Sequence, residues 1–219
     1  MQNAPSSHYV PALGYRWLTA LYDPLVRYST RERRFKAALL AQANLRAGQR
    51  LLDLACGTGT LAIMAKQRYP DLQMTGLDGD PAILQRARTK AAKQQVSIRF
   101  EHGFATTLPF AEASFDRVLS SLFFHPLLPE AKQQTFAEFH RVLRPGGELH
   151  IADWGKPTNP LMRALFYSIQ LLDGFPNTRD NIEGRLPKML RAAGFQAVSE
   201  CRTFSTVCGT LSLYQAKKT

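Results

Sequence analysis

The residues most able to do chemistry sit in one short stretch. Leu51-Leu52-Asp53-Leu54-Ala55-Cys56-Gly57-Thr58-Gly59-Thr60 sets a carboxylate on an apolar run, and two glycines follow it. Glycine lets a backbone turn sharply and come close to a ligand. A helix opening after such a loop presents free N–H groups. A second carboxylate, Asp78, closes the run Gly76-Leu77-Asp78, 19 residues after Gly59. An acid about 20 residues beyond a glycine loop is placed to accept hydrogen bonds from ribose hydroxyls. The spacing to Ala62 alone leaves a nicotinamide dinucleotide open. Asp53 argues against it, since a buried acid would repel a pyrophosphate and suits a cationic amino group. An ammonium-bearing nucleotide such as S-adenosylmethionine fits this pair of acids better.

The elements that must hold these residues alternate. Helical spacing covers Arg31 to Ala43, Thr58 to Arg68, Pro81 to Lys93 and Ala131 to Leu143. Short apolar or alternating runs cover Arg50 to Leu54, Gln73 to Leu77, Val96 to Glu101, Phe115 to Ser120 and Glu148 to Asp153. Strand–helix alternation implies a mostly parallel sheet covered on both faces, with right-handed crossovers. Beyond Asp153 the spacing predicts helices at Asn159 to Leu172 and Asn181 to Ala193. A closing strand pair follows, Phe195 to Phe204 and Val207 to Tyr214, turning at Ser205-Thr206. The expected fold is α/β, a Rossmann-like, doubly wound, mostly parallel seven-stranded sheet ending in an antiparallel hairpin. Residues 1–44 read as a helical preface or lid on one domain, residues 45–219.

The ordered set LLDLACGTG, GLDGD, Leu108-Pro109-Phe110, FDRVLSSLFFH (Phe115 to His125) and RVLRPGGELHIADW (Arg141 to Trp154) resembles class I S-adenosylmethionine-dependent methyltransferases. It is most similar in appearance to the small-molecule group of ubiquinone and menaquinone C-methyltransferases. The resemblance spans about Leu45 to Phe195. It implies that Asp53, Ala55, Gly57 and Gly59 line the methionine end of the cofactor and that Asp78 holds the ribose. It further implies that Gly79 lies beside the adenine and that Ser120 faces the methionine part. Two departures stand out. Ala55 replaces the family's first loop glycine, a change that asks only for a conventional backbone there. Gly103-Phe104-Ala105 replaces Gly-Asp-Ala, so Phe104 and Ala105 would flank the adenine without the usual carboxylate on its amino group.

Methyl transfer from a sulfonium needs alignment and exclusion of water, and a base only where the acceptor must lose a proton. His125, just past the fourth strand, is the candidate base; the alternative is a histidine that anchors its loop. Asp153-Trp154 ends the fifth strand, where α/β sheets bind ligands. Trp154 would stack on a flat acceptor or fill core space. The stripe of Met162, Leu165, Phe166 and Ile169 would be core or an apolar acceptor wall. Tyr22-Asp23 in the preface would close over the cofactor or clasp the sheet. His140 and His150 read as structural. Cys201 and Cys208 would serve a metalloid acceptor or pack as small apolar groups.

The chain has 219 residues and a net charge of +11. That excess favours polyanions, an anionic membrane surface among them, or serves as a solvated basic surface. The densest cluster is Arg31, Arg33 and Arg34. No catalytic box or appended module for nucleic acid is visible, so a small apolar or aromatic acceptor is expected, with a phospholipid headgroup as the variant that the basic charge and aromatic preface allow. A non-catalytic binder of an adenosyl ligand remains the alternative from another class, with Phe104 in its favour. The Cys56, Cys201 and Cys208 spacing predicts neither a disulfide framework nor a metal site and fits a reducing cytoplasm. No secretory leader or membrane span is expected, and the oligomeric state is left open.

Overall fold

A computed structural model describes residues 32–219. Its sheet has seven strands in the order β3-β2-β1-β4-β5-β7-β6. The parallel strands are β1 (Arg50–Leu54), β2 (Gln73–Asp78), β3 (Arg99–His102), β4 (Phe115–Ser121) and β5 (Leu143–Trp154). The closing pair, β6 (Gln196–Thr206) and β7 (Gly209–Lys217), is antiparallel, with β7 seated beside β5. The expected class is therefore the observed one.

Leu51, Leu52 and Leu54 of β1 are all fully buried. Such an unbroken apolar strand is what a parallel sheet covered on both faces requires. The covering helices are α1 (Glu32–Gln42), α2 (Thr60–Arg68), α3 (Pro81–Lys93) and α4 (Pro129–Val142). α1 buries Phe35, Leu39 and Leu40 in the same apolar cluster as Leu51 and Leu61. On the other face Phe124, Phe136 and Phe139 pack together, with Phe124 stacked on Phe136 at 4.7 Å.

The region after β5 departs from the expected two helices. It holds α5 (Pro160–Leu165), α6 (Tyr167–Asp173), α7 (Phe175–Ile182) and α8 (Leu186–Ala192). Periodicity survives across the breaks, which is why longer helices were expected. The breaks follow local chemistry. Gly174 adopts φ 90° and Gly184 φ 68°, and prolines open α7 and α8 where a missing N–H costs nothing. The hairpin turns at Val207-Cys208, two residues later than expected, and Thr206 Oγ1 accepts from the Cys208 amide at 3.1 Å. Val96 to Ile98 lies outside β3.

Sheet order reverses between β1 and β4, since β2 and β3 lie on one side of β1 and β5 on the other side of β4. Register pairs Leu54 with Ser120, and Ser121 with Ala152, so the ends of β1, β4 and β5 form one edge. A crevice outside the carboxyl ends at such a reversal is where open α/β sheets bind ligands.

Candidate active site

The loop leaving β1 is held by its neighbour. Cys56 N donates to Leu77 O at 3.0 Å, and Gly57 N donates to Asp78 Oδ2 at 2.9 Å. The other oxygen of Asp78 accepts from Asp80 N at 3.0 Å. Asp80 caps α3 by accepting from Ala82 N and Ile83 N. One acid thus fastens the glycine loop, and the next starts the helix beside it. Burial lifts the Asp78 carboxyl above its ordinary range, with the amides of Asp80 and Gly57 opposing.

The two loop glycines serve different ends. Gly57 has φ 54°, and a Cβ there would meet nothing within 4 Å, so its bare backbone faces open space. A Cβ at Gly59 would meet Phe100 at 3.2 Å and Ala87 at 3.3 Å. The missing Cβ at Gly59 therefore lets α2 pack closely on β3 and α3.

Ala55 requires a correction. Its backbone lies at φ 53°, in the left-handed region, not in the conventional one that its alanine led us to expect. The loop geometry that glycine would adopt freely is imposed here on a residue with a Cβ. Leu122, at the end of β4 across the crevice, is also left-handed, with φ 55°. Strained non-glycine residues thus flank the switch point on both sides, a pattern common at ligand sites.

Asp53 is the singular group of this loop. It is buried, and neither carboxylate oxygen has a hydrogen-bond partner among the described residues. Burial pushes its carboxyl up to about 7, opposed by the positive charge of Lys36 and by the Ala62 amide, which lies near it without reaching hydrogen-bond geometry. A buried acceptor left without a donor is costly, so such groups are rare unless a ligand supplies the donor. The cationic α-amino group of S-adenosylmethionine has that chemistry, and Gly57 and Asp78 supply the bare backbone and the acid beside it. The residues present fit the expected cofactor. Cys56 is buried against Phe100 and Gly76, and its thiol is raised by burial and by Asp53, which makes it a packing group.

Toward the adenine side, Gly103 N donates to Asp78 O at 3.1 Å, and His102 Nε2 bonds Gly79 O at 3.1 Å. The Phe104 ring is partly exposed and meets His102 edge-on at 5.7 Å. Ala105 packs against the apolar cluster of β4 and β5. Glu138 and Arg141 of α4 pin the Leu-Pro-Phe turn: Leu108 N donates to Glu138 Oε2 at 2.6 Å, and Arg141 donates to the carbonyls of Leu108 and Phe110.

The far side of the crevice is organised around Asp153. Its Oδ2 accepts from Phe123 N at 2.9 Å and Phe124 N at 2.6 Å. Its Oδ1 accepts from Trp154 N at 2.7 Å and lies 2.9 Å from His125 Nδ1. His125 Nε2 points the other way, to Asp173 of α6 at 3.5 Å. Asn181 Nδ2 donates to Trp154 O at 2.7 Å, and its Oδ1 accepts from the fully buried Lys132 Nζ at 3.2 Å. Lys132 also donates to Asn177 O at 2.7 Å and to Asp180 at 3.3 Å. Burial lowers the Lys132 ammonium against the pull of Asp180, and burial raises Asp173 against the pull of His125.

His125, Asp153, Asp53, Asp78 and Gly57 thus lie along one sheet edge. Other candidates face elsewhere. Ser120 is fully buried and donates to Leu54 O at 3.2 Å, a clasp between β4 and β1. Trp154 and Phe166, named for the acceptor, are both buried and meet edge-on at 5.7 Å, the core-filling alternative. Tyr22 lies outside the described residues. Cys201 is exposed on β6, and Cys208 sits in the hairpin turn. Sequence reasoning missed Lys132, Asp173 and Asn181, whose positions follow from packing between separate helices and carry no local signal.

Known proteins sharpen the assignment. Residues 51–147 match the family described as a methyltransferase domain. The demethylmenaquinone methyltransferase of Deinococcus radiodurans is 34% identical over 196 residues, covering 79% of this chain and 78% of the relative. An uncharacterized methyltransferase of Synechocystis is 30% identical over 93% of this chain and 92% of its own length. Among solved structures, the YcgJ protein of Bacillus superposes with a TM-score of 0.72 at 19% identity, over 85% of this chain and 98% of that one. That likeness is one of fold.

Proposed function

The chain belongs to the class I S-adenosylmethionine-dependent methyltransferases, and from that premise we propose that it methylates a ring carbon of an apolar, reduced quinone-type acceptor, with His125 as the base. The observation that carries the proposal is the His125 imidazole, bound through Nδ1 to a buried carboxylate, with Nε2 turned to the helix that walls the crevice. The named activity of the relative that is 34% identical over 79% of this chain supports the acceptor class.

S-adenosylmethionine, when bound, supplies an electrophilic methyl group. Everything else falls to the protein. An oxidised quinone is itself an electrophile, so the acceptor must be the quinol. Loss of a proton from its hydroxyl gives an electron-rich ring whose carbon attacks. Asp153 fixes His125 with Nδ1–H donating, and Nε2, which rests 3.5 Å from Asp173 Oδ2, takes the proton once the acceptor's hydroxyl stands between them. The ring carbon gains the methyl, and the same carbon later releases its proton to restore aromaticity. Asp53 and Gly57 hold the donor's amino-acid end, and Asp78 its ribose.

The test is transfer of a labelled methyl group to a reduced naphthoquinone, followed into the organic phase. His125→Asn should lower kcat by about 10²–10⁴-fold with cofactor affinity unchanged. An unaltered kcat would remove the base. Label that never enters a quinol would remove the acceptor class.

A further inference from the structure

The outer face of α5 to α7 carries a ridge of large apolar side chains turned to solvent. Leu161, Tyr167, Leu171, Leu172 and Phe175 are exposed at 63%, 47%, 77%, 65% and 49%. Direct contacts join part of this ridge. Arg163 lies over the Tyr167 ring at 4.2 Å, and that ring is 6.4 Å from the ring of Phe175. Leu171 follows Tyr167 by one helical turn, on the same side of α6. The inner side of the segment is already packed, since Met162, Phe166 and Gln170 are buried. Among the described residues nothing packs over the outer leucines, and an exposed apolar patch of this kind marks an interaction surface.

The charge around the ridge says which surface it meets. Residues 156–188 contain three acids, and each is engaged by a cation or an imidazole. Asp173 faces His125, Asp180 is held by buried Lys132, and Glu183 pairs with Arg179 and Arg185. Lys156 and Lys188 are exposed, and the whole chain carries +11. An apolar ridge that carries Arg163 over Tyr167, in a segment whose five cations outnumber its three acids, matches the boundary between lipid headgroups and acyl chains.

We propose that the α5–α7 ridge docks the protein on an anionic lipid bilayer. Leu171, Leu172 and Phe175 enter the headgroup–acyl boundary, and the basic side chains meet lipid phosphates. The inner side of the same α6 helix carries Asp173 to His125. Docking there sets the acceptor end of the crevice against the membrane, where an apolar acceptor dissolves. The docking itself does not depend on the acceptor, so its test needs none.

The full chain is mixed with sucrose-loaded vesicles of phosphatidylcholine alone, or of equimolar phosphatidylcholine and phosphatidylglycerol, and sedimented. We expect partition onto the anionic vesicles. The double variant Leu171→Ser, Leu172→Ser should lose at least about tenfold in the partition constant. Both leucines are exposed, so the variant should keep its melting temperature and its calorimetric affinity for S-adenosylmethionine. Three outcomes would overturn the proposal: no partition of the parent protein, partition unchanged by the double variant, or equal partition onto both vesicle types. A parent that sediments as a dimer, ignores vesicles and becomes monomeric in the double variant would assign the ridge to a second copy of the chain instead.

Discussion

Asp53 and Asp153 occupy matching places, near the carboxyl ends of β1 and β5 on either side of β4, and both are buried. Their surroundings are opposite. Asp53 has no hydrogen-bond partner among the described residues. Asp153 accepts from three backbone amides and meets His125 and Asn181 as well. The saturated acid is framework, which holds the loop after β4 and aims an imidazole. The unsatisfied acid is an opening, kept at an energetic cost that a ligand's cation would lower. The two halves of the crevice are built on this difference, and each substitution below tests it.

The largest effect is expected at Asp153. Asp153→Ala strips an acceptor from the buried amides of Phe123 and Phe124 and leaves His125 unaimed. Stability should fall by about 3–5 kcal/mol, as when one partner of a buried charged network is removed. The shift in urea midpoint measures it. A loss below about 1 kcal/mol, the size of an ordinary hydrogen bond, would deny Asp153 its framework role.

Asp53→Asn should do the reverse, with little loss of stability and a clear loss of ligand. Affinity for S-adenosylmethionine should drop by about thirtyfold or more, the usual scale for truncating one side of a buried charge pair. The pH dependence adds a second signature. Burial holds the folded carboxyl at about 7, well above the ordinary carboxylate range. Its contribution to stability is therefore fully present below the unfolded value and lost as pH rises through about 7. The parent protein should lose part of its stability across that window, and Asp53→Asn should lose less. Cofactor affinity runs the other way, gaining with pH until the carboxylate is ionised. Calorimetry and urea unfolding at several pH values check both slopes. If Asp53→Asn and Asp153→Ala shift stability alike, the contrast between the two acids fails.

The sequence made the first acid legible and the second only partly so. Asp53, Asp78 and Gly57 belong to a contiguous loop and the strand beside it, so spacing alone identified them. Strand alternation likewise disclosed the parallel sheet and its closing hairpin. The partners of Asp153 were not legible. Lys132, Asp173 and Asn181 come from three helices, and only tertiary packing brings them toward one carboxylate. Trp154 and Phe166 misled for a related reason. Position at a strand end and apolar spacing are equally compatible with lining a pocket and with filling the core, and burial decides for the core.

Ala55 was misread in a more instructive way, and it yields the smallest prediction. Its alanine argued for an ordinary backbone, yet the loop holds it at φ 53° because Cys56 N and Gly57 N are both fastened to β2. Two tertiary hydrogen bonds thus outweigh the cost of a left-handed alanine, about 1–2 kcal/mol. Ala55→Gly relieves that strain but gives the unfolded chain about 0.5–1 kcal/mol more entropy to lose. The net gain should be about 0.5 kcal/mol, read as a rise of about 1–2 °C in Tm. Cofactor affinity should stay unchanged, since the bonds that shape the loop come from Leu77 and Asp78. A marked change in affinity would place Ala55 itself, and its methyl group, in the ligand half of the contrast.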